Sequence, residues 1–336
     1  MVVNEQVLLR RRPVGEPAAD DFELAQGPVP EPAEGQVLVR AQFLSLDPYM
    51  RGRMSEAKSY AKPVAVGAVM EGQTAGVVEQ SRHPGFKPGD QVSGGYGWQR
   101  YSAVDAARLL KLDPVEAPIS TSLGVLGMPG LTAYVGLTDI GQPRADETCV
   151  VSAASGAVGA VVGQLARLAG ARVVGVAGGA DKCAFVTGEL GFDACIDHRA
   201  PKGGSLEAAL DAACPDGIDV YWENVGGAVQ RAVFPRLRDH ARMVMCGMVA
   251  EYNDREPAPG PNLMSAVRKR LRIQGFIVSD RFELMSEWRT KAVPLLRDGQ
   301  LRYREDVVDG LAQAPAAFIG LLRGRNFGKL VVRLND

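Results

Sequence analysis

Between Thr148 and Gly163 the chain reads T-C-V-V-S-A-A-S-G-A-V-G-A-V-V-G, and this stretch limits the architecture more than any other. Thr148 to Val151 are β-branched or apolar without alternation, the pattern of a strand covered on both faces. The chain then turns through Ala153, Ala154, Ser155 and Gly156, and a helix is predicted from Ala157 to Ala169. Small residues at such a turn let backbone amides approach an anion, which the positive end of the helix holds. Against G-x-G-x-x-G, Ala154 stands in the first glycine place, with Gly156 and Gly159 in the other two. In a strand–turn–helix setting this reads as the pyrophosphate site of a dinucleotide. The bland alternative is a tight turn whose glycines only let helix and strand pack.

Composition removes several classes of function. A chain of 336 residues is long enough for two domains, each with its own core. With 38 basic and 39 acidic residues the formal net charge is −1, giving no reason to expect nucleic acid or an anionic membrane as partner. No charged-then-apolar leader opens the chain, and no apolar run approaches a membrane span, so a cytoplasmic protein is expected. The five cysteines (Cys149, Cys183, Cys195, Cys214, Cys246) and three histidines (His83, His198, His240) are widely spaced. They suggest neither a metal site nor a disulfide framework.

Val7 to about Val125 shows short strand signals, such as Gln36 to Ala41 and Thr74 to Val78, punctuated by proline and glycine. Two polar-aromatic stretches interrupt it, Ser45 to Arg53 and Gly94 to Tyr101; each is either a ligand-facing loop or one packed by its own aromatics. A helix opens at Gly127 to Tyr134. Beyond Gly163 strands and helices alternate: strands at Arg172–Ala177, Ala194–Asp197, Ile218–Glu223, Met243–Val249 and Ile273–Val278. Helices are expected at Lys182–Leu190, Leu206–Ala213, Gln230–Leu237 and Phe282–Arg297. That alternation predicts an α/β, doubly wound parallel sheet. The tail, Lys329 to Leu334, returns to strand signals and is expected to rejoin the first domain. The division expected is therefore 1–128 with 300–336 as a β-rich catalytic domain, and 129–299 as the nucleotide-binding domain.

The end of the second strand of that sheet bears on the choice of dinucleotide. An NAD site usually places an acid there for the ribose 2′-hydroxyl, about 20 residues past the glycines. Here the position reads Val176-Ala177-Gly178-Gly179, with no carboxylate before Asp181. Glycines leave room for a 2′-phosphate, and Lys182, His198 and Arg199 converge as bases, so NADP is favoured. Taken singly, Lys182 is more often a solvated helix residue than a ligand.

The motifs S-L-D-P-Y-M-R (45–51), M-P-G-L-T-A-Y (128–134), A-A-S-G-A-V-G (153–159), E-N-V-G-G (223–227), E-Y-N (251–253) and N-F-G-K-L-V-V (326–332) occur in order across nearly the whole chain. In these the chain resembles the zinc-independent medium-chain dehydrogenase/reductases. The resemblance is to the group of leukotriene B4 12-hydroxydehydrogenase, prostaglandin reductase, 2-alkenal reductase and curcumin reductase. It implies a Rossmann domain plus an N-terminal, partly open β-barrel of the GroES-like kind, with the active site in a cleft between them. It implies NADPH contacts from Gly156, Ala157, Val158 and Gly159, and from Lys182 and His198 at the 2′-phosphate. Asn224, Cys246, Gly247, Tyr252, Phe276, Ile277, Val278 and Asn326 complete the implied set. Many relatives carry tyrosine where His198 stands, so NADPH affinity is expected to depend on pH. Zinc-dependent relatives carry a Gly-His-Glu signature where this chain reads Met70-Glu71-Gly72-Gln73, and metal-assisted alcohol oxidation is disfavoured. A homodimer formed through the last strand, near Ile273 to Val278, is implied by the family alone.

The expected reaction is NADPH-dependent reduction of a carbon–carbon double bond conjugated to a carbonyl, with Tyr252 as hydrogen-bond donor or proton source. Position alone leaves Tyr252 equally a plain loop tyrosine; the resemblance tips the balance. Tyr49 and Met128 are expected to line the substrate cleft without chemical roles. The rival readings are a quinone reductase or secondary-alcohol dehydrogenase on the same fold, and a non-enzymatic NADPH-binding protein.

Overall fold

The computed structural model describes residues 3–256 and 258–334, so residues 1–2 and 335–336 of the expected first domain, and Pro257, lie outside the described residues. Contacts divide the chain into two compact units. The first runs to Gly124 and takes up Glu305–Asn326 and the residues from Leu330 onward; the second is Val125–Arg304 with Phe327–Lys329.

The first unit contains β1 (Val3–Leu9), β2 (Phe22–Pro28), β3 (Gln36–Ser45), β4 (Thr74–Ser81), β5 (Gln91–Gly94), β6 (Tyr101–Asp105) and β7 (Leu110–Lys111). The second supplies β8 (Thr148–Ser152), β9 (Arg172–Ala177), β10 (Ala194–Asp197), β11 (Ile218–Glu223), β12 (Leu237–Met245) and β13 (Arg272–Gly275). The closing strands β14 (Glu305–Asp309) and β15 (Lys329–Arg333) join β3 in the order β14-β15-β3-β4-β5-β7. Antiparallel β3 carries β4 along one edge and divides the other between β6, at Gln36–Arg40, and β15, at Phe43–Ser45. A strand with three partners is how a sheet curls toward a barrel. Trp98 is fully buried in the core of this unit, stacked on Phe22 at 5.8 Å and meeting Phe318 edge-on at 5.7 Å. The Gly94–Tyr101 stretch therefore serves the core through Trp98 and buried Tyr96.

In the second unit the sheet order is β10-β9-β8-β11-β12-β13, and every pair is parallel. Numbered within the unit this is 3-2-1-4-5-6, the Rossmann order, whose ligand crevice opens where the order reverses, between β8 and β11. All of β8 is buried, as a strand covered by helices on both faces requires. After the third strand the chain returns to the other side of β8 and adds strands outward in the opposite direction.

Several element boundaries differ from the sequence expectation. The helix after β8 spans Gly159–Leu168, because residues 153–158 form the turn; its first i→i−4 bond runs from the Ala160 amide to the Gly156 carbonyl. The helix expected at Gln230–Leu237 is Gly227–Val233, and Leu237 already opens β12. The strand expected at Met243–Val249 is β12, beginning six residues earlier and ending at Met245. Arg238, Asp239 and His240 hide its start because they are exposed. Its end is set where the Cys246 and Gly247 amides both turn to the Glu223 carbonyl, at 3.0 and 3.1 Å, leaving the ladder. The sixth strand stops at Gly275, and a 3-10 segment begins at Val278. The helices expected from Lys182 and Phe282 begin at Ala180 and Met285.

Candidate functional site

The turn after β8 is built by exclusion of side chains. Ala153 takes φ +50°, a left-handed conformation that brings its carbonyl under the following turn to accept the Gly156 amide at 2.9 Å. A Cβ on Gly159 would stand 2.4 Å from that carbonyl oxygen, so the helix seats on the turn only with glycine there. A Cβ on Gly156 would meet the same oxygen at 3.2 Å and nothing else within 4 Å, leaving its other side open to an approaching group. Ala154, in the first glycine place, is fully buried with its amide bonded to the Val176 carbonyl at 3.0 Å. Its methyl fits because Gly175 on β9 has none; a Cβ there would lie 2.8 Å from it. Alanine at 154 and glycine at 175 are one packing solution.

At the switch point the ends of β8 and β11 are bolted together. The Ser152 hydroxyl accepts the Asn224 amide at 2.7 Å and donates to Glu223 Oε1 at 3.0 Å. That oxygen also accepts the Val225 and Gly226 amides, at 2.7 and 3.0 Å, and Glu223 is fully buried. Asn224 gives its side-chain amide to the Ser152 carbonyl and accepts from Trp222 Nε1, so most of its polar capacity holds the sheet rather than facing a ligand. Sequence reasoning quoted E-N-V-G-G as a motif without giving Glu223 a task. An acid closing an otherwise apolar strand was the available signal.

The loop after β12 is stitched onto this bolt. Val249 and Ala250 donate to the Asn224 and Val225 carbonyls at 3.0 and 2.9 Å, and Glu251 Oε1 accepts the Gly227 amide at 2.8 Å. A carboxylate at the start of the helix Gly227–Val233 complements its positive end. A side chain at Gly226, φ +75°, would come within 2.7 Å of that carboxylate. Tyr252 follows directly. Its hydroxyl folds back over the loop to accept the Met248 amide at 3.4 Å, and a Cβ on Gly247 would lie 2.8 Å from it. Cys246 is desolvated here, and burial pushes its thiol up to about 12. Phe276 meets Trp222 edge-on at 6.0 Å, and Ile277 and Val278 lead from β13 into the next turn.

At the far end of β9 the bases gather. Asp197 Oδ1 accepts the Gly179 amide at 2.8 Å and the Arg199 amide at 3.0 Å, tying the β9 bend to the β10 bend. Burial works to raise the Asp197 pKa, but these amides and the His198 charge outweigh it and hold it low. Desolvation in the bend, then the Arg199 and Lys182 charges, lower the His198 pKa from its ordinary value against the pull of Asp197. Lys182 is on the first turn of the helix Ala180–Gly188. Three bases, with no carboxylate on the β9 end itself and Asp197 engaged by two backbone amides, suit a phosphate on the ribose. The residues present fit a phosphorylated dinucleotide, with the open Gly156 turn for its pyrophosphate.

Of the remaining residues, Tyr49 and Asn326 belong to the first unit and Met128 to the second. Tyr49 is partly buried, with the Arg53 guanidinium 5.3 Å from its ring centre; burial and then Asp47 raise its pKa. Around it Asp47 accepts the Ser45 hydroxyl and Arg51 donates to the Gly15 carbonyl, so polar groups of S-L-D-P-Y-M-R are bonded within the first unit. Met128 opens the helix Met128–Gly136, its carbonyl accepting the Thr132 hydroxyl at 2.7 Å. Among the described residues no group of three or more His, Cys, Asp or Glu is placed to hold a metal.

A Rossmann sheet with this turn, joined to a curled antiparallel sheet, defines a dehydrogenase-type oxidoreductase. A family model described as the N-terminal domain of oxidoreductase matches residues 5–112, and one described as zinc-binding dehydrogenase matches 157–298. The chain is 50% identical to an NADPH-dependent curcumin reductase of Escherichia coli K12, covering 98% of this chain and 97% of that one. It is 39% identical to an NADP-dependent 2-alkenal reductase of Nicotiana tabacum, over 99% and 98% of the two chains. The crystal structure of CurA from Vibrio vulnificus in complex with NADPH superposes with a TM-score of 0.93 at 47% identity, over 99% of each chain. The chain belongs to the zinc-independent medium-chain dehydrogenase/reductase family.

Proposed function

We infer that this oxidoreductase uses NADPH to reduce the carbon–carbon double bond of α,β-unsaturated aldehydes or ketones. The observation that carries the cofactor half is the bend at Gly178-Gly179, which has no acidic side chain of its own and stands against His198 and Arg199, with the Lys182 charge acting on the same imidazole. The names of the relatives, a curcumin reductase and an alkenal reductase, support the substrate class.

Bound NADPH would supply the hydride, delivered to the β-carbon of the enone. The backbone turn at Gly156–Gly159 would hold the pyrophosphate, and Lys182 and His198 the 2′-phosphate. Hydride addition leaves an enolate, whose oxygen gains from a nearby hydrogen-bond donor and whose α-carbon takes a proton. Tyr252 is the residue to which we assign that hydrogen bond or proton, because the Glu223–Asn224–Glu251 lattice fixes its loop. A phenol held on a pinned loop loses little freedom on engaging substrate. Tyr49 and Met128 are assigned to substrate contact without chemical roles.

The homodimer is part of the same proposal. All four residues of the sheet-edge strand β13 are exposed, and the helix before it, Met264–Lys269, exposes Met264 and Val267. An uncovered edge beside apolar surface favours pairing with a second copy. Size-exclusion chromatography with light scattering tests it, a monomer at micromolar concentration counting against it.

The deciding experiment follows NADPH oxidation against a panel of alkenals, enones, quinones and secondary-alcohol/ketone pairs, with product analysis. Saturated carbonyl products from enones support the reading. Turnover confined to quinones or to ketone–alcohol exchange would replace it with a rival chemistry, and tight binding without turnover would point to a non-enzymatic protein.

A further inference from the structure

Two of the five cysteines meet beside the bases just described. Cys183, on the helix Ala180–Gly188, and Cys195, on β10, place their sulfurs 3.0 Å apart, with the Cys195 thiol donating to Cys183. Both are partly exposed, and each is one to three residues from a candidate phosphate ligand: Lys182 precedes Cys183, and His198 follows Cys195. Sequence spacing alone gave no sign of the pair, because helix and strand come together only in the folded sheet.

We propose that Cys183 and Cys195 are an oxidisable dithiol that closes to an intrachain disulfide with a peroxide, loosening the grip on the 2′-phosphate. In the first step the Cys183 thiolate attacks one peroxide oxygen. The O–O bond breaks, one water leaves after protonation, and Cys183 becomes a sulfenic acid. The Cys195 sulfur then attacks the Cys183 sulfur, the S–O bond breaks, and a second water leaves. Two thiols lose two electrons and two protons, and the peroxide is reduced to two waters. Cys183 goes first because its sulfur accepts the hydrogen bond, which favours its thiolate over that of Cys195. Burial raises both thiols above their ordinary range, so little thiolate is present at neutral pH and the oxidation is slow.

Closure to a bond of about 2.05 Å requires the two sulfurs to approach by about 1 Å. Cys183 carries Lys182 with it on the first turn of its helix. The β10 side cannot follow freely, because Ala194 to Asp197 are laddered to Val174–Ala177 of β9. The spacing between Lys182 and the His198–Arg199 pair therefore changes. This coupling rests on the NADPH reading above; the disulfide does not.

The test uses the full-length protein, reduced, desalted and treated with hydrogen peroxide. Thiol titration after denaturation is expected to lose two thiols, peptide mapping to recover a Cys183–Cys195 link, and dithiothreitol to reverse both. Links between other cysteines, or Cys183 carried on to sulfinic acid with Cys195 still a thiol, would overturn the proposal. NADPH titration by fluorescence is expected to give a Kd several-fold weaker for the oxidised protein, with no change for peroxide-treated Cys183→Ser or Cys195→Ala. A mapped disulfide with unchanged Kd would overturn the coupling. Failure of the reduced protein to bind NADPH would overturn the cofactor reading and the coupling together, while the mapped link would stand by itself.

Discussion

A Cβ on Gly178 would stand 2.9 Å from Nε2 of His198. The end of β9 and the imidazole after β10 thus occupy adjoining space, and the lack of a side chain on one makes room for the ring of the other. The same missing carboxylate that suggested NADP in the sequence is also what permits the base to stand there.

Gly178→Asp is expected to disturb both functions at once. The new carboxylate would crowd His198 and Arg199 and repel a 2′-phosphate. NADPH should bind tenfold or more weaker, ~1.4 kcal/mol or greater. NADH should suffer less, so the ratio of the two Kd values by fluorescence titration is the measurement. An unchanged ratio would remove this bend from cofactor selection.

Charge on His198 gives a pH signature. Its pKa is lowered in the unliganded protein, so the ring is mostly neutral at neutral pH, whereas a bound phosphate dianion would raise it. Binding then takes up a proton, and NADPH affinity should strengthen as pH falls from about 8 toward about 6, where protonation of the phosphate itself begins to oppose it. His198→Gln should flatten that dependence while NADH binding stays indifferent to pH in both proteins. Isothermal titration in buffers of different ionisation enthalpy reads the proton directly.

Gly159→Ala and Gly156→Ala should separate packing from binding. The first drives a methyl to within 2.4 Å of a backbone carbonyl, and overpacking of this kind costs about 1–3 kcal/mol. A lowered melting temperature is expected even without ligand. The second meets only a 3.2 Å contact, so stability should hold while NADPH affinity falls. Equal melting losses for both would contradict the division of labour.

Glu223→Ala removes an acceptor serving Ser152, Val225 and Gly226. Leaving buried donors unpaired costs about 1–3 kcal/mol each where water cannot enter. Chemical denaturation should show a loss of a few kcal/mol, and Glu223→Gln, which retains one acceptor oxygen, a smaller one. The Tyr252 loop hangs on the same lattice, so turnover should fall more than NADPH affinity.

Tyr252→Phe is expected to lower kcat on an enone by about 10²-fold, the lower range for a positioned proton donor. The NADPH Kd should change less than kcat, since the ring and its packing on the loop are kept and the Met248 amide sits at a long 3.4 Å from the lost hydroxyl. Undiminished kcat would take Tyr252 out of proton transfer.

Much of this protein was legible in one dimension. The apolar run of β8, the small-residue turn and the alternation after it specify a buried parallel sheet, because only a strand covered on both faces lacks polar alternation. β9, β10 and β11 fall at the boundaries their patterns suggest, being short and bracketed by glycine or charge. β12 starts earlier than its pattern suggests because exposed Arg238, Asp239 and His240 fall in an irregularity of its pairing with β11, between Ile218 and Val220, and pattern follows burial rather than strand pairing. Cofactor preference could be read from Gly178 and Gly179 because it depends on which residue type is missing.

What the chain order could not supply is which distant residues share a site. Glu223 as a triple acceptor, Glu251 as the cap of another helix, and the meeting of Cys183 with Cys195 all arise from crossovers between separate strands. Local propensity and periodicity decide what each segment becomes. The hydrogen-bond and packing partners of a buried side chain are set by which strand ends the topology brings to one edge. For Ala154 even the meaning of the residue changed: the sequence shows a substituted glycine, and the fold shows its methyl fitted against the bare Cα of Gly175.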